Sequence, residues 1–200
     1  MDGIKYARFK TEEELLKEVL RSLSTYCNVY PKVSAIGGKK ISPDIDILQI
    51  ESFPKNQFRL IGYELKLIKF DERCKGLSWN SLYSGIGQAL LYLKNGVHRA
   101  FLVLGFHENI PDDKSVEEFR EWLLNKRELL KRIVGNYVSV DTYLYKGSPL
   151  NAPIIKAESD FQPSDDEEVK LLSNELLQGK FTFNKKLKED LNVLYGKRCN

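Results

Sequence analysis

The chain has 200 residues, 42% of them hydrophobic and 30% charged, and a formal net charge of +3. This length permits one core domain with appended elements and excludes two large domains, and the composition is typical of a water-soluble globular protein. The mild positive charge permits nucleic-acid binding through a local basic patch, but it does not indicate such binding by itself.

The sequence carries no signal for a membrane or for secretion. No apolar run reaches the roughly 18 residues of a membrane span, and the N-terminal stretch turns acidic without the apolar core of a signal peptide. The three cysteines, Cys27, Cys74 and Cys199, are widely spaced and odd in number. This pattern argues against a disulfide framework, a zinc site or a four-cysteine iron–sulfur cluster. We therefore expect a cytoplasmic protein that makes no contact with a membrane.

Hydrophobic periodicity predicts an alternation of helices and strands. In chain order the patterns predict a helix over 11–24, strands over 26–36, 45–50 and 58–67, a helix over 77–94, a strand over 99–106, a helix over 115–134, a strand over 137–145 and two short helices over 169–179 and 184–195. We expect an α/β fold with a mixed central β-sheet flanked by helices. Prolines and an acidic run near residues 149–168 divide it into a core domain, 1–150, and a partly helical C-terminal extension, 151–200.

Local signals refine three of these elements. Thr11 is a candidate N-cap for the first helix, with Glu14 three residues further on as in a capping box. Pro31 predicts that the first strand lies at an edge of the sheet or contains a bulge. Gly85 and Gly87 lower the helix propensity of the second helix, which predicts close approach to a strand or a ligand.

Acidic side chains stand in two strands that should be largely buried. Asp44 and Asp46 share one face, because residues two apart in a strand point the same way, and Glu64 and Lys66 do likewise. If the two strands pair as a hairpin, up to three carboxylates and one ammonium converge. Burying such a group is costly unless a metal and a hydrogen-bonding substrate compensate it. The pattern therefore predicts an active site.

These residues also carry a family resemblance. Pro43-Asp44 followed by Glu64-Leu65-Lys66 resembles the motif of the PD-(D/E)xK nuclease superfamily, and Gln88 with Tyr92 resembles the QxxxY motif of its RecB-like branch. The predicted order helix, strand, strand, strand, helix, strand over about residues 11–106 is similar to the common core of that superfamily. The resemblance implies a restriction-endonuclease-like core of order α-β-β-β-α-β and leaves the second half of the chain unexplained.

The resemblance implies a hydrolase of DNA phosphodiester bonds that uses Mg²⁺ or Mn²⁺. The implied catalytic residues are Asp44, Glu64, Lys66, Gln88 and Tyr92, and the implied metal ligands are Asp44, Asp46, Glu64, Glu12 and the Leu65 carbonyl. Asp44 and Asp46 could trade roles or both take part, and the sequence leaves this open. Lys66 would orient or help deprotonate the attacking water and stabilise the phosphate. Gln88 and Tyr92 would position the lysine and a phosphate through hydrogen bonds.

Basic residues flank the acidic strands and are candidates for phosphate contacts. They are Lys39, Lys40, Lys69, Arg73 and Lys75. The turn that contains Lys39 and Lys40 fits a plain loop equally well, and it lacks the spacing of a P-loop, so we expect no nucleotide cofactor. The basic flank of the helix over 115–134 fits either a solvated face or a DNA track.

The predicted function is thus a metal-dependent deoxyribonuclease, an endonuclease of repair, recombination or defence, with DNA as its partner. A homodimer and a Holliday-junction resolvase stay open, as do DNA against RNA and endonuclease against exonuclease. The main alternative is a non-catalytic nucleic-acid-binding or assembly subunit that retains the nuclease fold. A helix–turn–helix regulator would account for the basic C-terminal helices but would leave the acidic strands unexplained.

Overall fold

The computed structural model describes residues 6–23, 28–146, 153–162 and 166–194. Its helices are α1 (Glu12–Leu23), α2 (Asn80–Lys94), α3 (Asp113–Asn125), α4 (Arg127–Val134), α5 (Glu167–Leu177) and α6 (Lys185–Leu194). Its strands are β1 (Val29–Ile36), β2 (Lys39–Phe53), β3 (Gln57–Ile68), β4 (Phe70–Asp71), β5 (Gly76–Leu77), β6 (Arg99–Phe106), β7 (Val138–Thr142) and β8 (Phe181–Thr182). A short 3₁₀ turn, Pro54–Asn56, joins β2 to β3.

Six of the strands form one central sheet in the order β7-β6-β3-β2-β1-β8. β1, β2 and β3 pair antiparallel, β3, β6 and β7 pair parallel, and β8 pairs antiparallel with the outer edge of β1. The expected α/β class with a mixed central sheet flanked by helices is therefore confirmed. The order α-β-β-β-α-β is present from α1 to β6, with the small β4–β5 hairpin inserted before α2.

The two faces of β3 are buried against different helices, because successive side chains of a strand point to opposite sides. Its odd-numbered residues Ile61 to Leu67 pack with the apolar stripe of α1. Its even-numbered residues face α2, where a Cβ added at Gly85 would lie 3.0 Å from Cγ of Lys66. Glu64 and Lys66, the residues of β3 that are predicted to be catalytic, consequently lie on the α2 side of the sheet.

Gly85 confirms the expected close approach of helix and strand, since its added Cβ would also lie 2.5 Å from Leu102 in β6. Gly87 differs: an added Cβ there would meet no atom within 4 Å in the described part of the chain. Thr11 caps α1 by accepting a hydrogen bond of 3.2 Å from the Glu14 amide. The Glu14 carboxylate turns back to the amide of Lys10, one residue before the cap. The capping signal was thus correct in outline.

Two predicted helices have different bounds. The helix predicted over 77–94 begins at Asn80, because Gly76–Leu77 pairs with Phe70–Asp71 as a strand. The helix predicted over 115–134 is two helices, since Lys126, at φ −100° and ψ 4°, interrupts the helical backbone between α3 and α4. In both places a hairpin or a packed corner overrides a helical hydrophobic pattern.

The remaining differences are at the ends of strands and in the C-terminal region. β2 and β3 are longer than predicted and β7 is shorter, while residues 26 and 27 of the predicted first strand and residue 195 of the last helix lie outside the described residues. β1 has the irregularity that Pro31 suggested, a register shift between Val33 and Ala35. The C-terminal extension is helical in α5 and α6, and its strand β8, missed from sequence, adds to the central sheet. Of the helices in the described ranges, none combines the length and the apolar character needed to cross a membrane.

Candidate active site

The acidic strands β2 and β3 pair as an antiparallel hairpin, as predicted, from Phe53 opposite Gln57 to Ile47 opposite Tyr63. Asp46 and Glu64 follow directly after the last of these pairs. At this point the Leu65 amide donates a hydrogen bond of 2.9 Å to Oδ2 of Asp46. The buried carboxylate of Asp46 therefore accepts a hydrogen bond from the main chain of β3 just beyond the paired part of the hairpin.

Glu64 is the most deeply buried charged residue of the cluster, with 2% of its surface exposed. Its Oε1 lies 2.5 Å from Nζ of Lys66, two residues further along β3. Burial, and then the charge of Asp46, raise the pKa of Glu64 above its usual range. Burial alone would lower the pKa of Lys66. The hydrogen bond to Glu64 and the charge of Glu64 outweigh this effect, so the pKa of the lysine is raised. Lys66 thus keeps its ammonium at neutral pH, beside the carboxyl group of Glu64.

Tyr92 of α2 connects the two acidic strands through its hydroxyl. The hydroxyl accepts a hydrogen bond from the Asp46 amide at 3.2 Å and lies within hydrogen-bonding distance of the Asp44 carbonyl and of Oε2 of Glu64. A phenol has one proton, so it donates to one of these two oxygens at a time. Burial, with the charges of Asp46 and Glu64, raises the pKa of Tyr92, so the phenol stays protonated. Gln88 and Tyr92 were expected to position the lysine and a phosphate; the Tyr92 hydroxyl contacts Glu64, whose other carboxylate oxygen is paired with Lys66.

Lys32 of β1 is a member of the cluster that the sequence analysis missed. Its ammonium forms an ion pair with Oδ1 of Asp46. The pairs Pro31–Ile47 and Val33–Ile45 of the β1–β2 ladder place Lys32 opposite Asp46. The only sequence signal was a lysine inside a predicted strand, and its partner becomes apparent only from the register of the two strands.

The other predicted catalytic and metal-binding residues lie around this cluster. Asp44 is exposed and contributes its carbonyl, not its carboxylate, to the contacts of Tyr92. Gln88 is half-buried, one turn before Tyr92, and makes no hydrogen bond within the described part of the chain. Glu12 is exposed at the start of α1, and its charge contributes to the raised pKa of Lys66, after the larger effects of burial and of Glu64.

The predicted phosphate-binding residues form two exposed groups. Lys39 and Lys40 begin β2, after the turn from β1. Lys69, Arg73 and Lys75 lie between the end of β3 and β5. Because β2 and β3 are antiparallel, the start of one and the end of the other lie at the same end of the sheet. Both groups are thus at the end of the hairpin beyond Asp46 and Glu64.

The cluster has donor atoms that suit a hard divalent cation. Across the described ranges, no three His, Cys, Asp or Glu side chains form a preassembled metal-binding group. Asp46 and Glu64 are a pair, and carboxylate oxygens are the ligands that Mg²⁺ prefers, usually one or two of them beside several waters. The chemistry of this pair fits the predicted cofactor. Each of the four carboxylate oxygens already has a protein partner, Lys32, Leu65, Lys66 or Tyr92.

A cavity of about 450 Å³ lies elsewhere, between α4 and residues 154–158. Its charged lining residues are Arg127, Glu128, Lys131, Lys156 and Glu158, and none of the acidic cluster takes part. Lys131 is engaged there in an ion pair with Glu158. The cavity therefore does not bear on the chemistry of Asp46 and Glu64.

Comparison with protein-family models, with characterised proteins and with solved structures finds no match for this chain. The resemblance to PD-(D/E)xK nucleases therefore stays a prediction that depends on the motif residues.

Proposed function

We propose that this protein is a metal-dependent hydrolase of DNA phosphodiester bonds. Its principal active-site residues would be Asp46, Glu64 and Lys66. One observation carries the proposal: two buried carboxylates meet at the end of a paired hairpin, with the ammonium of Lys66 2.5 Å from Glu64. A buried ion-pair cluster contributes little to stability, because apolar residues of similar volume often serve a fold as well or better. Binding of a charged ligand explains better than stability why charged residues stand at these buried positions.

Asp46 and Glu64 would hold Mg²⁺ or Mn²⁺, with the Leu65 carbonyl as the further ligand that the motif implies. When bound, the cation supplies positive charge at the phosphate and lowers the pKa of a bound water. Asp46 suits this role better than Asp44, because it is buried beside Leu65 and Tyr92 while the Asp44 carboxylate is exposed. We therefore assign the metal-binding aspartate to Asp46.

The chain's own residues would bind and orient the substrate. Lys66 carries an ammonium suited to donating a hydrogen bond to a phosphate oxygen and to offsetting the charge that develops there. Tyr92 fixes the rotamer of Glu64 through the hydroxyl contact. In the hydrolysis itself a water oxygen bonds to phosphorus, the ester P–O bond breaks, and the leaving oxygen takes up a proton. The two exposed basic groups beyond the hairpin would contact neighbouring phosphates.

The test is cleavage of labelled single-stranded, duplex, flap and four-way-junction DNA, with matching RNA, in Mg²⁺, Mn²⁺ or EDTA. Wild type is compared with Asp46→Asn, Glu64→Gln and Lys66→Met. Asp44→Asn is the matched control, because it removes an exposed carboxylate two residues from Asp46. We expect metal-dependent cleavage by wild type and Asp44→Asn and at least a hundredfold loss in the other three. Circular dichroism verifies that each variant is folded.

The same experiment decides between the enzyme and a non-catalytic nucleic-acid-binding subunit. That second candidate gains support from the fact that every carboxylate oxygen of the cluster already has a protein partner. Tight, metal-independent binding of DNA without cleavage of any substrate would favour it and contradict the proposed hydrolase. Equal losses in Asp44→Asn and Asp46→Asn would contradict our assignment of Asp46 alone.

A further inference from the structure

Lys32 has an unusual backbone for the interior of a strand. Its φ is 52°, in the left-handed region that side chains other than glycine rarely adopt. Such a conformation costs on the order of 1 kcal/mol and persists only where the surrounding contacts compensate it. The ammonium of this residue forms an ion pair with Asp46. The backbone of β1 thus directs the Lys32 side chain towards Asp46, the residue that we propose as a metal ligand.

The ion pair is asymmetric in its burial. The Lys32 side chain is 45% exposed, whereas that of Asp46 is 12% exposed. The ammonium therefore reaches from the surface onto the inner carboxylate and covers Oδ1. The other oxygen of Asp46 already accepts from the Leu65 amide. Oδ1 is consequently the oxygen that a cation would compete for, and Lys32 is the group that it would have to displace.

The cluster brings together two carboxyl groups, those of Asp46 and Glu64, and two lysine side chains, Lys32 and Lys66. A bound divalent cation would add two positive charges to this group, and the departure of one lysine would offset one of them. Lys66 is held mostly buried, with 16% of its side chain exposed, whereas the half-exposed Lys32 can return to water at little cost.

We propose that Lys32 is the counter-ion of the carboxylate pair formed by Asp46 and Glu64. In the metal-free protein Lys32 pairs with Asp46, and a divalent cation displaces Lys32 from Asp46 when the cation binds. This inference rests on the proposed function, because it presupposes that Asp46 and Glu64 bind a metal. It assigns Lys32 a positioning role: the residue keeps the carboxylate of Asp46 oriented before the cation arrives. It also makes Lys32 an antagonist of metal binding.

The test compares Mn²⁺ affinity, measured by isothermal titration calorimetry without nucleic acid, in wild type, Lys32→Met, Lys32→Arg and Lys55→Met. Lys55 is the matched control, since it too is an exposed lysine with positive φ, 66°, but lies in the turn between β2 and β3. Methionine and arginine face the same backbone penalty as lysine at position 32, so the comparison isolates the charge.

We expect Lys32→Met to bind Mn²⁺ about tenfold more tightly than wild type, because a positive charge near the cation has been removed. Lys32→Arg and Lys55→Met should stay within about twofold of wild type. In EDTA, Lys32→Met should melt at a lower temperature than wild type, and Mn²⁺ should raise its Tm by more than it raises that of wild type. This second readout requires only the protein and the ion.

The outcomes separate the two proposals. If Glu64→Gln abolishes Mn²⁺ binding but Lys32→Met binds as wild type does or more weakly, the exchange is wrong and the metal site stands. If folded wild type and folded Lys32→Met both fail to bind Mn²⁺, the metal site is wrong and the exchange is overturned with it. A gain in affinity for Lys55→Met equal to that for Lys32→Met would also overturn the exchange, because it would indicate a general charge effect.

Discussion

The ring of Tyr92 lies directly over Gly62 of β3: a Cβ added to that glycine would be 2.8 Å from Cδ2 of the tyrosine. Gly62 precedes Glu64 on the same face of the strand, and the Tyr92 hydroxyl contacts Glu64. The missing side chain at position 62 therefore creates the space in which the tyrosine reaches the acidic cluster. Helix α2 is seated on β3 by this contact as well as by Gly85.

Gly62→Ala should displace Tyr92 and with it the carboxylate of Glu64. The added methyl overpacks a buried contact, and we expect a loss of about 1–3 kcal/mol in the free energy of unfolding, measured in urea. Cleavage activity should fall at least tenfold, because small displacements of positioned groups are costly. The control is Gly87→Ala on α2, which meets no described atom and should gain up to about 1 kcal/mol. Unchanged stability and activity in Gly62→Ala would contradict the packing argument.

Tyr92→Phe should separate the hydroxyl contacts from the packing of the ring. The change removes hydrogen-bonding partners from Glu64 and from the Asp46 amide, which are buried, and from the partly buried Asp44 carbonyl. We expect a loss of about 1–3 kcal/mol in the free energy of unfolding. Tyr83→Phe, at a tyrosine of the same helix with 58% exposure, should change stability by less than about 0.5 kcal/mol. Equal effects of the two changes would argue that the hydroxyl of Tyr92 is dispensable.

Asp141 of β7 should make the stability of the fold depend on pH. Burial raises the pKa of Asp141 from 3.8 to about 6, against the hydrogen bond from the Thr142 amide and the charge of Arg120. The unfolded chain thus loses this proton at a lower pH than the native protein does. Stability should therefore fall as pH rises through the window from 3.8 to about 6, and the full penalty applies above it.

Asp141→Asn should remove that penalty. We expect the variant to exceed wild type in the free energy of unfolding by about 1–3 kcal/mol at pH 8 and to match it closely at pH 4. Urea unfolding at the two pH values measures the difference. Glu121→Gln, at an exposed position on α3, serves as the control and should follow wild type at both. A variant that is no more stable than wild type at pH 8 would refute the assignment of this titration to Asp141.

If the protein binds DNA as proposed, the salt dependence of binding would locate the path of the DNA across the surface. If Lys39 and Lys40 contact phosphates, the double variant Lys39→Ala/Lys40→Ala should reduce the slope of log affinity against log salt by about 2. Binding is measured in EDTA so that no substrate is cleaved. The control is Lys126→Ala/Arg132→Ala, which removes two exposed charges near α4. A reduced slope in this second variant instead would put the DNA over α3 and α4.

The positions of helices and strands could be predicted from the sequence, because hydrophobic periodicity and turn residues are properties of short stretches of chain. The hydrophobic patterns located α1, α2 and β6 and predicted β2 and β3 as a hairpin with acidic residues. The alternation of side chains put Glu64 and Lys66 on one face, and the structure brings them to 2.5 Å. The capping signal at Thr11 and the close approach at Gly85 were correct for the same reason.

Tertiary structure decided what depends on register and on the ends of strand pairing. The register of the β1–β2 pair places Lys32 opposite Asp46. Because the β2–β3 ladder ends before Asp46, the carboxylate of that residue can accept a hydrogen bond from the Leu65 amide. Sequence spacing could not separate Asp44 from Asp46, since both share a face of a regular strand. A bulged and partly unpaired strand buries one and exposes the other, because the free energy of burial is set by neighbours that are distant in the chain.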